Sequence, residues 1–204
     1  MAEKRKIKLS IYLPLYNLEE LVKRALESIP VRDDIEVIVV DDCSTDDSLK
    51  SVLDFASTSQ LDIRIFHHKM NKGISVATNT ALENCKGEYI FGFDPDDYLY
   101  TDEFIKALDF LDGTDIVYIH AQTNDGTILT TDDHNHNHCA SWFKFIRRDF
   151  LGNERRVFNA YGGDYEMNLA LVSRKHTSRH TNLVAYHYNF PREGSVIWNL
   201  THGV

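Results

Sequence analysis

Between residues 7 and 121 the hydrophobic pattern changes period again and again, and few folds tolerate that. "KIKLSIYLP" is a short β-branched and aromatic run ending at Pro14, which predicts a buried strand. Leu18, Leu21, Val22, Ala25, Leu26 and Ile29 then recur at helical spacing, with Pro30 as the stop. "IEVIVV" is nearly continuous in apolar residues, as a parallel strand covered on both faces must be. After "DDCSTDDS", in which Ser44 or Thr45 can cap a helix, Leu49, Val52, Leu53 and Ala56 line one side. "LDIRIFHH" predicts a strand, 74–85 a helix stopped at Gly87, and "EYIFGF" the fourth strand. Thr101 is placed to cap a helix with an acidic first turn, ended by Asp112-Gly113, and "DIVYIHA" follows as a further strand. Repeated strand–helix–strand units at this spacing mean an α/β fold with a mostly parallel central sheet flanked by helices.

Beyond residue 121 the pattern loosens into a polar, turn-rich stretch, an amphipathic basic segment "WFKFIRRDFL", a helix at "GGDYEMNLALVSRK" and a closing "NLVAYHYNFPREGSVIW". At 204 residues and 43% hydrophobic content, one domain is expected. Its first half, to about residue 121, would carry the ligand site, and 122–204 a smaller second region. The net charge of −9 argues against broad, salt-driven binding to nucleic acid or an anionic membrane. No long apolar stretch follows the charged N-terminus, and no window suits a transmembrane helix. The three cysteines, Cys43, Cys85 and Cys139, are widely spaced and read as free thiols, so a soluble cytoplasmic protein is expected.

In an open parallel sheet, ligands bind beyond the carboxyl ends of the strands. There the sequence places "YN", "DDCSTD", "HHKMNKG" and "DPDD". Carboxylates gathered at one sheet edge repel one another unless something positive offsets them. A hard divalent cation, Mg2+ or Mn2+, is the natural partner, with ligand phosphates completing its shell. Asp94, Asp96 and Asp97 are also a good turn before a helix, and Asp41 and Asp42 are good capping residues. Both readings stay open on the residues alone.

Taken together, these segments resemble the family 2 glycosyltransferases, inverting enzymes of the GT-A fold that use nucleotide-diphospho-sugars. "IYLPLYNLEE" is similar to their P-x-Y-N-x-E turn and "VIVVDDCSTDDS" to V-D-D-x-S-x-D. "NKGISVATNTALENCKGEYIFGFDPDDYL" matches N-x-G-x-x-x-A-x-N, G-E-Y-I and D-x-D-D. "WFKFIRRDFL", "GGDYEMNLAL" and "YHYNFPREGSV" follow in the family's order, so the likeness spans roughly residues 7–198. The resemblance implies that Pro14, Tyr16, Asn17 and Glu19 line a nucleoside pocket, with Asp41 or Asp42 reading the base, expected to be uracil. It places Asn71, Gly73 and Asn79 beside the donor, Asp94 near the ribose or sugar, and Asp96 as principal metal ligand among Asp94, Asp96 and Asp97. Asp164 would be the general base, Glu166 the fallback, and Arg192 a diphosphate contact. A helix cap is the competing role for Asp164.

Two positions depart from the pattern. Thr78 stands where the family often has Arg, and Gly163 where it has Glu before the base. They leave room for a second reading, a nucleotide-sugar-binding module without turnover. A nucleotidyltransferase is a weaker rival, since "PLYNLEE" is neither basic nor Gly-rich. The acceptor, whether glycan, lipid-linked sugar, protein or modified nucleobase, is not legible. Among minor signals, His134, His136 and His138 could share one strand face and bind zinc, although a solvated loop suits them better. Lys144, Arg147 and Arg148 form a basic patch, either a solvated helix face or an anion contact. Trp142, Phe143, Tyr161 and Trp198 suit the core or a sugar, and His187 the core or its margin.

Overall fold

The computed structural model describes residues 6–131, 140, 143–157 and 164–193. His134, His136, His138, Cys139, Trp142, Tyr161, Gly163 and Trp198 lie outside the described residues. The first strands are β1 (Leu9–Leu15), β2 (Ile35–Asp41), β3 (Asp62–His67) and β4 (Tyr89–Gly92), joined by helices α1 (Val22–Ser28), α2 (Ser48–Thr58) and α3 (Ile74–Asn84). They pair in parallel in the order β3-β2-β1-β4. The unbroken apolar run of β2 now has its reason. Val37 and Val39 face one core with α1 and α2, while Ile38 and Val40 face a second core with α3. Each such side chain contributes roughly 1.5–3 kcal/mol on leaving water. Pro14 stands inside β1, opposite Val40, and does not end it. It is tolerated because β4 pairs with β1 only as far as Tyr12, so no ladder needs its missing N–H.

The chain continues through β5 (Tyr98–Leu99), α4 (Thr101–Leu108), β6 (Ile116–Thr123), β7 (Ile128–Leu129), β8 (Lys144–Arg147), α5 (Arg148–Leu151), α6 (Asp164–Val172) and β9 (Ser178–Tyr188). The sheet order is β3-β2-β1-β4-β8-β6-β9-β5, with β7 on β6. The sheet is parallel in its first four strands and mixed beyond them, since β8 runs antiparallel to both β4 and β6. The later half therefore completes the sheet and is woven into it.

Local readings needed correction where a tertiary partner outbid a local one. Ser44 and Thr45 do not cap α2, which starts at Ser48; they bond to Asn17 on the neighbouring loop. Thr101 does not cap α4, and its hydroxyl donates to the Ser28 carbonyl at 2.9 Å. Gly87 is no helix stop. Its backbone passes so close to β1 that a Cβ there would lie 2.5 Å from the Ser10 nitrogen. The segment read as amphipathic and basic contains strand β8, and its cations are used structurally. Lys144 is fully buried, with Nζ donating to the Ala140 carbonyl at 2.8 Å and lying 5.9 Å from the Tyr118 ring centre. Arg147 pairs with Asp115, and Arg148 donates to the Gly87 carbonyl. Arg147 sits beside the start of β4, at the sheet edge opposite the strand ends that matter below. Phe143 is core, and His187 stacks on Tyr98 with ring centres 4.1 Å apart.

Candidate donor site at the sheet edge

Four strand ends converge at one edge of the sheet. The loops after β1 and β2 are laced together by Asn17, whose N–H donates to Ser44 Oγ and whose Oδ1 accepts from the Thr45 N–H at 2.8 Å. Glu19 accepts from the Asp47 N–H at 2.7 Å, and so supplies the start of α2 with the acceptor that Ser44 and Thr45 do not. Asn17 and Glu19 thus fix the loop after β1 against the loop after β2. Tyr16 stays 44% exposed beside them, its ring open to a flat ligand, whereas Pro14 is buried beneath. Asn17 and Cys43 both adopt left-handed backbone, at φ 50° and 65°, where these two loops turn.

Asp41 and Asp42 now part ways. Both are buried, but Asp42 spends its oxygens on the neighbouring turn. It accepts from the Lys72 N–H at 3.0 Å and the Gly73 N–H at 2.6 Å, and pairs with His68 Nδ1 at 2.7 Å. Asn71 closes the same turn, accepting from Gly73 at 3.1 Å, and Gly73 holds φ 85°, which suits glycine. Asp41 Oδ2 pairs with His67 Nδ1 at 2.8 Å and accepts from Ser44 N–H at 3.2 Å. Its Oδ1 has no hydrogen-bond partner, an exception among buried acceptors. Asn79 clamps the backbone of Arg156, donating to its carbonyl and accepting from its N–H, both at 2.9 Å. Thr78 is wholly buried in α3.

The turn after β4 divides its three aspartates just as sharply. Asp97 is buried, and both its oxygens are engaged, Oδ2 by the Tyr186 hydroxyl at 2.5 Å and Oδ1 by the Asn189 N–H at 2.7 Å. It braces the turn against the end of β9. Burial, then Asp96 and Asp94, push its carboxyl well above the ordinary range. Asp94 is pushed up to about 7, first by burial and next by Asp96, with Arg156 opposing and Asp164 adding. Asp164 therefore lies close enough to be felt there, although it opens α6, far along the chain. Glu166, two residues on, is exposed. Asp96 accepts from Arg192 through Oδ2, at 2.9 Å from Nε and 2.8 Å from Nη2.

Cavities of about 390 and 650 Å3 open elsewhere, one lined by residues including Leu82 and Arg148, the other by Tyr100 and Gln122. Tyr186, Asn189, His67, His68 and Arg24 bond to these aspartates, and Arg156 acts on Asp94 by its charge; the sequence alone singles out none of them as site residues. Tyr186 lay within the closing motif; Arg24, on a helix face that reads as solvated, carried no signal.

Known proteins similar to this chain agree on its family. Residues 10–176 match the model of glycosyl transferase family 2. The chain belongs to that family. Among curated relatives, the minor teichoic acid biosynthesis protein GgaB of Bacillus subtilis is 30% identical over 91% of this chain and 23% of its own length. Escherichia coli chondroitin synthase is 40% identical over 49% of this chain and 15% of its own. The chain thus spans less than a quarter of either protein. The crystal structure of Staphylococcus aureus TarS 1–349 in complex with UDP-GlcNAc superposes with a TM-score of 0.82 at 22% identity, over 94% of this chain and 60% of that one. The mannosyltransferase PcManGT from Pyrobaculum calidifontis, in complex with GDP-Man and Mn2+, gives 0.76 at 19%, over 98% and 61%. These likenesses place this family 2 chain on the GT-A fold. Among the described residues, no helix is long and apolar enough to cross a membrane.

Proposed function

We propose that this chain is the catalytic domain of an inverting, metal-assisted glycosyltransferase that uses a UDP-sugar. The observation that carries the proposal is the turn after β4, where Asp96 and Asp164 both raise the Asp94 carboxyl by their charge, beside a loop that holds the unpaired, buried Asp41 Oδ1. In this reading Asp41 accepts the imide N–H of uracil, Tyr16 packs on the base, and Asp42, Asn71 and Gly73 hold the turn beside it. A uridine nucleotide is the donor to try first because the uracil imide N–H suits the Asp41 acceptor, as guanine N1–H would too, and because the TarS neighbour binds UDP-GlcNAc.

Asp96, with Asp94, is the carboxylate pair for Mn2+ or Mg2+, since only hard oxygens are on offer and their mutual repulsion calls for a cation. Asp97 belongs to the support, its oxygens being already engaged. A divalent ion held there would neutralise charge developing on the leaving diphosphate. Asp164 takes the proton of the acceptor hydroxyl while that oxygen bonds to the anomeric carbon and the carbon–oxygen bond to the diphosphate breaks. One in-line displacement inverts the anomeric centre. Poly(ribitol phosphate) and teichoic acid polymers are the acceptors to try first, because the relatives TarS and GgaB are named for them.

Transfer from UDP-sugars to a panel of polyol phosphates and oligosaccharides, with Mn2+, tests the reading. Wild type should transfer, and Asp164→Asn should lose about 100-fold or more with donor affinity kept. No nucleotide binding, with Mn2+ or without it, would remove the proposal, and binding equal in Mn2+ and EDTA would remove only its metal. Binding without transfer to any acceptor would favour a nucleotide-sugar-binding module, the reading that Thr78 and Gly163 leave room for.

A further inference from the structure

Asp96 is not an open carboxylate. Besides the forked contact from Arg192 to its Oδ2, its carbonyl accepts from Arg24 Nη2 at 2.7 Å and Asn189 Nδ2 at 3.1 Å. Arg192 reaches it along a built path. The Asn189 N–H is fixed on Asp97, and Asn124 Nδ2 donates to Asn189 Oδ1 at 3.0 Å and to the Pro191 carbonyl at 3.2 Å. The Asn124 N–H holds the Phe190 carbonyl at 3.1 Å. The guanidinium is thereby delivered to one oxygen, with its side chain only 25% exposed.

A second, independent observation concerns what surrounds that oxygen. Among the described residues, no group of three or more His, Cys, Asp or Glu side chains converges as a metal cage. A divalent ion on Asp96 would take most of its oxygens from water and a bound phosphate, as magnesium-type ions commonly do. A divalent ion and a guanidinium on the same carboxylate also repel each other across a few ångströms.

We infer that Arg192 is an exchanging counter-ion, which neutralises Asp96 while the site holds neither metal nor nucleotide and turns to the diphosphate when both arrive. The inference rests on the donor-site reading above. Its planar fork of N–H donors suits phosphate oxygens as well as it suits a carboxylate. Metal and nucleotide then bind as companions, each raising the affinity for the other by the same factor.

Calorimetric titration of the whole chain tests this with Mn2+ alone, UDP in EDTA, and UDP at saturating Mn2+. In wild type, Mn2+ should tighten UDP binding by about fivefold or more. In Arg192→Ala, Mn2+ alone should bind more tightly than in wild type, UDP with Mn2+ more weakly, and the mutual enhancement should shrink. Arg192→Gln, which keeps the length of the side chain, should behave alike if the alanine variant melts early. Unchanged or weaker Mn2+ binding in both variants overturns the exchange. So does wild-type UDP binding equal in EDTA and in Mn2+, which would mean that the arginine stands permanently in the metal's stead. Wild type that binds no UDP under any condition instead removes the donor-site reading, and this inference with it.

Discussion

The carboxylate of Asp97 accepts a 2.5 Å hydrogen bond from the buried hydroxyl of Tyr186, which lies 89 residues further along the chain. The same hydroxyl accepts the Asp94 N–H at 3.3 Å, so one phenol ties both ends of the Asp94–Asp97 turn to β9. The turn that presents Asp96 owes its shape to a strand from the other half of the protein.

Tyr186→Phe keeps the ring and its packing on Phe91 and Phe93 but leaves a buried carboxylate short of a donor. It should cost about 1–3 kcal/mol of stability, read by urea denaturation. Paired with Asp97→Asn in a double-mutant cycle, the effects should be clearly non-additive. Additive losses would mean that the two side chains act independently.

Asp41→Asn should lower UDP affinity about tenfold or more, because an amide N–H turned to the uracil imide sets donor against donor. Cytosine carries an acceptor at that position, so CDP should lose less or gain. Competition titrations with UDP and CDP measure both. Equal losses for the two nucleotides would take Asp41 out of base reading.

The Asp94 carboxyl rises from 3.8 to about 7 on folding, so between those values the folded protein binds more protons than the unfolded chain. Stability of the ligand-free protein should therefore fall as pH rises through that window, this carboxyl's share of the loss being complete above about 7. Asp94→Asn should flatten the slope and raise the melting temperature at pH 8, at the expense of metal-dependent nucleotide binding. A wild-type melting temperature that climbs steadily from pH 4 to 7, with no difference from Asp94→Asn, contradicts this.

Gly87→Ala places a methyl group 2.5 Å from the Ser10 nitrogen and 2.7 Å from the Leu9 carbonyl carbon, both backbone atoms of a central strand. Neither can step aside cheaply, so about 1–3 kcal/mol of stability should be lost, or more, with soluble yield falling alongside. A melting temperature within a degree of wild type would show that β1 and β4 are not so closely held.

The alternation of periods, the apolar run of β2 and the polar strand ends were enough to read an α/β sheet with a charged edge, and the motif series was enough to read the family. Both are local properties, set by which residues leave water and at what spacing. What that reading left joined, the tertiary structure separated. Asp41 and Asp42 are neighbours with one pattern, yet Asp41 keeps an unpaired oxygen, while the turn after β3 consumes those of Asp42. Asp96 and Asp97 are likewise adjacent, yet the carboxylate of Asp97 is held by Tyr186 and Asn189 while that of Asp96 meets Arg192. Lys144 read as a surface cation until β8 slid between β4 and β6 and buried it. The sequence by itself determined the fold class and the edge where charge gathers. Which carboxylate answers a ligand and which one answers the protein was decided only by partners 25 to 90 or so residues away, since a hydrogen-bond acceptor is spent by whatever donor the fold brings to it.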